Sequence, residues 1–181
     1  MLRGRKVGLR PLESKDSWLL HKWFNDQRVL EDLGATNTPF CVSMERELQI
    51  VDEIIANKSK RYFMIQSLEG SRDIGLVGLS KIDFRSASAE LVVLIGEIDC
   101  WGKGMGRDAI GVVLHHAFAR MNLHRVYLRV ADYNERAISC YKASGFQVEG
   151  KLRHDHFHKG AYRDALIMSI LKDEFGGLSD A

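Results

Sequence analysis

The sequence contains little proline, cysteine or net charge, and it has no long apolar run. Its 181 residues include two prolines and three cysteines, with a formal net charge of +2. The cysteines, Cys41, Cys100 and Cys140, form no CxxC pair, so neither a disulfide framework nor a zinc knuckle is indicated, and a reducing cytoplasm is the simplest interpretation. No stretch reaches the roughly 20 apolar residues of a membrane span, and the first residues lack a signal-peptide pattern. The charge favours neither a nucleic-acid nor a membrane partner.

Composition and length predict one globular domain. Hydrophobic residues make up 45% of the chain and charged residues 28%, which is typical of globular proteins. No Pro-, Gly- or Ser-rich linker and no internal repeat divides the sequence. We therefore expect a single domain over residues 1–181, with residues 1–5 and 176–181 frayed.

The apolar pattern predicts a mixed α/β architecture. The predicted strands are residues 6–10, 61–68, 73–84, 89–98, 124–130, 146–154 and 163–173. The predicted helices are residues 13–30, 43–58, 104–120 and 134–144. Short polar turns join the second, third and fourth strands, which favours an antiparallel meander. A helix then crosses over between the fourth and fifth strands, and a polar loop, residues 155–162, separates the last two.

A glycine-rich stretch, DCWGKGMGRDAIG (residues 99–111), lies between a predicted strand and a predicted helix. Gly102, Gly104 and Gly106 allow the backbone to bend and to approach a ligand closely. The N–H groups at the start of the following helix can then converge on an anion, and Lys103 and Arg107 add positive charge. This pattern indicates a site for a cofactor that carries a diphosphate.

Other interpretations of the glycines remain open at this point. A dinucleotide-binding GxGxxG motif is disfavoured, because the third glycine comes one residue early and a meander precedes it. A Walker loop, GxxxxGK[ST], is absent from the sequence. A glycine-rich turn that binds no ligand remains possible on these residues alone.

A second motif makes the pattern more specific. The sequence N-x-x-A-x-x-x-Y-x-x-x-G-F is met by Asn134, Ala137, Tyr141, Gly145 and Phe146. With the glycines, it resembles the GNAT superfamily of acetyl-CoA-dependent N-acetyltransferases, over nearly the whole chain. The branch that it resembles contains ribosomal-protein alanine acetyltransferases and spermidine acetyltransferases. The superfamily pattern Q/R-x-x-G-x-G/A is met at both small positions, whereas Trp101 departs from it at the Q/R position.

The resemblance implies a fold and a cofactor site. It implies a mixed, mostly antiparallel central sheet flanked by helices, with a bulge in the fourth strand and a V-shaped splay between strands 4 and 5. The diphosphate would bind the backbone of the glycine-rich turn, and the pantetheine arm would pair with the end of strand 4. The residues expected to bind acetyl-CoA are Leu94, Ile95, Gly96, Gly102, Lys103, Gly104, Met105, Gly106, Arg107, Asn134 and Tyr141.

The resemblance also implies direct attack of an amine on the thioester, without an acyl-enzyme. Tyr141 is the candidate acid for the leaving thiolate, since a phenol with a pKa near ~10 can donate a proton to sulfur. Glu90 and Glu97 are candidate bases, and a chain of water molecules is an alternative. Glu31 and Asp32, which follow the first helix, are candidate substrate-binding residues.

Three alternating histidines, His154, His156 and His158, lie in the stretch HDHFHKG. On a strand they would share one face, and imidazoles at that spacing can bind a metal ion. No matching cluster of cysteines or carboxylates accompanies them, so we expect no metal. We expect the hairpin to border the acceptor pocket, with His156 contacting the substrate.

The expected function is therefore an acetyl-CoA-dependent N-acetyltransferase that acts on a primary amine. A protein N-terminus or another small amine is favoured as acceptor, with a polyamine of the spermidine type as an alternative. A non-catalytic CoA-binding sensor on the same fold is a further alternative. The enzyme could also form a homodimer.

Overall fold

A computed structural model describes residues 1–33 and 42–177, without the side chains of residues 32 and 33. The strands are β1 Leu2–Arg3, β2 Val7–Pro11, β3 Arg61–Ser67, β4 Asp73–Asp83, β5 Ser88–Ile95, β6 Arg125–Ala131, β7 Gln147–His158 and β8 Ala161–Leu171. The helices are α1 Ser17–Phe24, α2 Gln27–Leu33, α3 Met44–Ala56, α4 Met105–His115 and α5 Glu135–Ala143. None of the helices in the described residues is long and apolar enough to cross a membrane.

The strands form one sheet in the order β1-β2-β3-β4-β5-β6-β8-β7. The pairing of β5 with β6 is parallel, and the pairings between the other neighbours are antiparallel. The parallel pair needs a crossover, which α4 provides. The predicted mixed, mostly antiparallel sheet with flanking helices is confirmed.

The two parallel strands separate after a short stretch of pairing. Residues 88–90 of β5 pair with residues 125–127 of β6. Beyond Glu90, β5 continues to pair with β4 as far as Ile95, while β6 pairs with β8 as far as Ala131. Strands β5 and β6 correspond to the predicted strands 4 and 5, because the short strand β1 was not predicted. Between β5 and β6 the sheet opens into the V-shaped slot that was predicted between those two strands.

The two faces of the sheet carry different helices. Leu91 of β5 and Val126 of β6 belong to the core that contains the α4 residue Ile110. Leu94 of β5 belongs to a second core with Trp23 of α1. Since successive side chains on a strand point to opposite faces, the sheet separates an α4/α5 side from an α1/α3 side.

The predicted first helix, residues 13–30, is interrupted at Asn25 and Asp26. The Asn25 side chain donates from Nδ2 to the His21 carbonyl (2.9 Å), and Asp26 Oδ1 accepts from the Arg28 amide (3.0 Å). These short polar side chains bond to the nearby backbone and so end α1 and begin α2. At the N-terminus, where the sequence suggested a frayed end, Leu2–Arg3 pairs with β2.

The predicted polar loop 155–162 is instead part of a hairpin. Strand β7 runs to His158, and β8 begins at Ala161. The two residues between them, Lys159 and Gly160, have φ values of 47° and 82°, as expected for a type I′ turn. The loop prediction is wrong because β7 is an exposed edge strand whose polar side chains mask its strand pattern.

Candidate functional site

A cavity of about 720 Å³ occupies the opening between β5 and β6. Its walls are the free end of β5, the glycine-rich turn, and the face of α5 that begins at Asn134 and includes Tyr141. The expected cofactor residues that line it are Leu94, Ile95, Gly102, Gly104, Met105, Gly106, Arg107, Asn134 and Tyr141. Gly96 and Lys103 are not among the lining residues. Two distant sequence motifs thus meet in one slot.

The glycine-rich turn has the backbone geometry of an anion cradle. Gly102 and Gly104 have φ values of 72° and 78°, in the left-handed region that L side chains rarely adopt. Gly104 is the N-cap residue of α4. The first N–H groups of a helix have no acceptor within the helix, so those of α4 are available at the mouth of the slot. A diphosphate fits this arrangement of donors and positive helix dipole.

Two residues that the sequence did not single out hold this turn in place. Lys6 Nζ donates to the Lys103 carbonyl (2.8 Å) and lies 3.5 Å from where a Cβ on Gly104 would be. The Asp108 carboxylate accepts from the amides of Lys6 (2.8 Å) and Val7 (3.0 Å). No local pattern could have revealed these contacts, since about 100 residues separate the partners.

The slot-facing edge of β5 follows from the alternation of its peptide groups. The Ala87 carbonyl accepts from the Arg125 amide of β6 (3.1 Å), and residues two apart on a strand direct their peptide groups to the same side. The peptide groups of Leu91 and Val93 therefore face the slot, and that of Leu94 faces β4. Of the residues 94–96 that are expected to pair with the pantetheine arm, Ile95 has its peptide group on the slot side, in line with Leu91 and Val93.

Directly after β5, two consecutive amides share one carbonyl acceptor on β4. The amides of Gly96 and Glu97 both donate to the Ile74 carbonyl (2.9 and 3.1 Å), a two-against-one arrangement. A Cβ on Gly96 would lie 2.1 Å from Trp23 Cδ2. Gly96 is therefore required for the packing of α1, and its amide is used within the sheet rather than in the slot.

Trp101 occupies the position where the superfamily pattern has Gln or Arg. Its indole Nε1 donates to the Ile95 carbonyl (2.7 Å), which closes the open end of β5. The Arg136 guanidinium lies over the Trp101 ring, with Cζ 3.8 Å from the ring centroid. Both side chains line the slot, so this pair spans from the glycine-rich turn to α5.

Tyr141 and Asn134 lie on α5, which forms one wall of the slot. Asn134 Oδ1 accepts from the Ala137 amide (3.0 Å) and caps the helix. The Tyr141 ring packs edge-on against Phe146, with the ring centroids 5.9 Å apart. Burial raises the pKa of Tyr141, with a smaller contribution from Cys140. The phenol therefore stays protonated at neutral pH, as a proton donor requires.

The two candidate bases lie in different surroundings. Glu90 lines the slot, and its Oε2 accepts from Lys81 Nζ (3.0 Å). Glu97 is not a lining residue: its Oε1 accepts from Lys22 Nζ (2.6 Å) and from Trp23 Nε1 (2.8 Å). Burial alone would raise the pKa of Glu97, but these two hydrogen bonds and the positive charges of Lys22 and Arg72 together outweigh it, and the pKa is lowered. Glu97 therefore anchors α1 to the sheet, and Glu90 is the candidate base that remains in the slot.

Comparison with known proteins decides the family. A family model described as "Acetyltransferase (GNAT) domain" matches residues 6–147. The chain belongs to the GNAT acetyltransferase family. The superfamily resemblance in the two motifs is thereby confirmed.

Relatives of this GNAT chain align along nearly their whole length. Spermidine N(1)-acetyltransferase from Escherichia coli K12 is 32% identical over 175 residues, which cover 97% of this chain and 91% of the relative. The Vibrio cholerae enzyme of the same name is 30% identical over 170 residues, 94% of this chain and 95% of the relative. A crystal structure of spermidine N-acetyltransferase from Vibrio cholerae in complex with CoA and spermine has a TM-score of 0.85 and 30% identity, covering 93% and 97% of the two chains.

The expected activity and cofactor are confirmed at the level of the family. The chain is an N-acetyltransferase, and it uses acetyl-CoA. Its acceptor is an amine. The slot between β5 and β6 meets the requirements for such a cofactor, because the left-handed glycines leave no Cβ between the backbone amides and a bound diphosphate.

A second cavity of the GNAT domain, of about 390 Å³, adjoins the slot. Its lining residues are Glu31, Tyr133, Asn134, Glu135, Arg136, His158 and Lys159. Asn134 and Arg136 line both cavities. Glu31, a candidate substrate residue, lies 3.2 Å from Lys159 Nζ through its Oε2. The side chain of Asp32, the neighbouring candidate, lies outside the described residues.

The three histidines do not act as one group. His156 Nε2 lies 3.4 Å from the Tyr133 hydroxyl, and the His158 ring stacks on the Tyr133 ring at 4.6 Å. His154 instead stacks on Tyr162, because a bulge at His154, with φ of 51°, interrupts the alternation. The expectation of one shared face is therefore wrong for His154. In the described residues, no three His, Cys, Asp or Glu side chains are grouped so that they could hold a metal ion.

Proposed function

We propose that this enzyme acetylates a primary amine of a polyamine such as spermidine or spermine. The observation that carries the proposal is the near full-length similarity to spermidine acetyltransferases, one of which has been crystallised with CoA and spermine. This favours the polyamine over the protein N-terminus that the sequence alone suggested.

The acidic residues near the slot support a cationic acceptor. Glu90 and Glu31 each contact the ammonium group of a lysine, Lys81 at 3.0 Å and Lys159 at 3.2 Å. A polyamine carries the same alkylammonium group, so it can replace either lysine at the same carboxylate. Partly exposed ion pairs of this kind contribute only about 0–1 kcal/mol, so the exchange costs little.

Acetyl-CoA, when bound, supplies the acetyl group and leaves as CoA. Backbone amides from Gly102 to Arg107 hold its diphosphate, and the peptide groups of Leu91 and Val93 orient its pantetheine arm. Glu90, directly or through water, accepts the proton that the attacking amine loses. Tyr141 donates a proton to the departing sulfur, since its phenol lines the slot and carries a proton at neutral pH. The amine thus loses one proton and the thiol gains one.

An acceptor panel with CoA thiol release as the readout tests the proposal. Spermidine, spermine, a monoamine of similar length and a peptide with a free N-terminal alanine are compared at equal concentration. We expect kcat/KM for spermidine or spermine to exceed that for the monoamine and the peptide by up to about fivefold for each carboxylate that the polyamine engages, since a partly exposed ion pair contributes about 0–1 kcal/mol. A peptide that reacts best would refute the polyamine proposal, and no thiol release with any amine would favour the sensor alternative.

We further propose that residues 1–181 act as one domain in the cytoplasm and that the enzyme associates as a homodimer. A cytoplasmic location is supported by the cysteine pattern, which indicates a reducing compartment. Light scattering of the purified chain, with and without CoA, measures the oligomeric state.

A further inference from the structure

An arginine and a tryptophan form a pair across the mouth of the cofactor slot. Arg136 lies in the first turn of α5. Trp101 directly precedes Gly102, the first residue of the turn that is proposed to bind the diphosphate. The guanidinium carbon lies 3.8 Å from the indole centroid, a distance at which a cation is attracted to the ring face. This contact brings a positive charge from α5 to the start of the diphosphate cradle.

Trp101 removes one hydrogen-bond donor from that cradle. The superfamily pattern has Gln or Arg at this position, and either side chain can donate a hydrogen bond to a phosphate. The N–H donor of Trp101 is instead directed to the Ile95 carbonyl, at 2.7 Å. The turn therefore lacks the side-chain donor that the pattern supplies, and a replacement has to come from another element.

We propose that Arg136 is this replacement and binds the diphosphate of acetyl-CoA from the α5 side of the slot. Stacking on Trp101 engages the face of the planar guanidinium, whereas its N–H donors project from the edge in a geometry suited to phosphate oxygens. Trp101 is fixed by its bond to β5, so it holds Arg136 in one orientation. Trp101 is thus a positioning residue, and Arg136 contacts the cofactor.

The position of Arg136 agrees with this role, because its side chain is exposed and lines the slot beside Trp101. The guanidinium is charged at neutral pH and presents planar N–H donors, so an anion that enters the slot can meet it directly. Lys6, which directly precedes β2, contacts the turn, so the bound diphosphate would lie between cations on two sides.

The inference rests on the proposed placement of the diphosphate at Gly102–Arg107, and binding measurements test it without any acceptor. Calorimetry is used to compare Arg136→Gln with the unaltered enzyme for three ligands: CoA, dephospho-CoA and pantetheine. We expect Arg136→Gln to weaken CoA and dephospho-CoA equally, by about tenfold to a hundredfold, the range for one charge-assisted hydrogen bond. Pantetheine, which has no diphosphate, should bind both proteins alike.

Matched variants separate this role from a general loss of charge or of packing. Arg85→Gln removes the same charge from an exposed turn between β4 and β5 and should leave CoA binding unchanged. Arg136→Lys keeps the charge without the planar fork and should give an intermediate loss. In a Trp101→Gln background, which restores the superfamily residue, the effect of Arg136→Gln should shrink to about threefold or less, because the two donors then serve the same phosphate.

The outcomes that overturn the inference are distinct. An equal loss of affinity for pantetheine would make Arg136 a packing residue, and a loss confined to CoA would place it at the 3′-phosphate. Unchanged CoA binding in Arg136→Gln refutes its role outright. A polyamine that fails as acceptor, with these binding results intact, refutes only the proposed acceptor.

Discussion

Replacement of Gly104 by alanine tests the diphosphate cradle directly. Gly104 has φ of 78°, and an added Cβ would meet Lys6 Nζ at 3.5 Å, an ordinary contact distance. The substitution therefore introduces conformational strain and one methyl group at the proposed phosphate contact, without a severe clash in the protein. Gly70 provides a matched control, since it has φ of 80°, its added Cβ meets no atom within 4 Å, and it does not line the slot.

The two substitutions should have the same effect on stability and different effects on binding. A left-handed conformation costs an L residue about 1–2 kcal/mol. For a chain of this size, that corresponds to a decrease in Tm of roughly 2–8 °C for each variant. At Gly104 the methyl group also blocks the approach of an anion to the backbone amides, so we expect at least about a tenfold loss of CoA affinity there, or 1.4 kcal/mol.

Thermal unfolding without ligand measures the first effect, and calorimetric titration with CoA measures the second. Gly70→Ala should bind CoA with unaltered affinity. If Gly104→Ala and Gly70→Ala bind CoA equally well, the diphosphate does not contact this turn. If both lose affinity in proportion to their loss of stability, strain alone accounts for the result.

Three further substitutions probe other parts of the molecule. Tyr141→Phe should lower kcat about 100-fold or more with little change in CoA affinity, as expected for loss of a general acid; unchanged kcat would exclude that role. Glu97→Gln should lower the unfolding free energy by about 1–2 kcal/mol and affect kcat much less, whereas a selective fall in kcat would restore Glu97 as a base. Glu47 is 2% exposed, its Oε1 has no hydrogen-bond partner among the described residues, and burial raises its pKa. Its contribution to stability is therefore fully present below the unfolded-state pKa and decreases as pH rises through the folded-state pKa. Glu47→Gln should then stabilise the protein by about 1–3 kcal/mol at pH 7 and have no effect near pH 4; equal effects at both pH values in denaturant titrations would contradict this.

Local backbone chemistry explains what the sequence could predict of the site. Gly104 is required by a left-handed conformation, and Asn134 by a helix cap, so each is visible in a short motif. The seven-residue spacing that places Asn134 and Tyr141 on one helical face is equally local. The two motifs therefore predict the glycine-rich end of the slot and the wall that α5 forms.

The remaining features depend on contacts between residues that are distant in the sequence. Arg136 meets Trp101 across 35 positions, and Asp108 binds the backbone at Lys6. From the sequence alone Glu97 is a candidate base. The hydrogen bond that Trp23 Nε1 donates to it shows instead that Glu97 holds α1 on the sheet. Side chains of these types are common on surfaces and in ion pairs, so their local sequence does not reveal which partner they take.

Only three residues of β5 pair with β6. A ligand that binds in the slot between these strands therefore contributes to the stability of the folded chain. A ligand that binds only the native chain adds RT ln(1 + [L]/Kd) to the unfolding free energy, about 2.7 kcal/mol at a hundredfold excess over Kd. If acetyl-CoA binds along the uncovered edge of β5, as proposed, it would extend this part of the sheet as an added strand does. The temperature at which this enzyme unfolds should therefore rise with the concentration of acetyl-CoA.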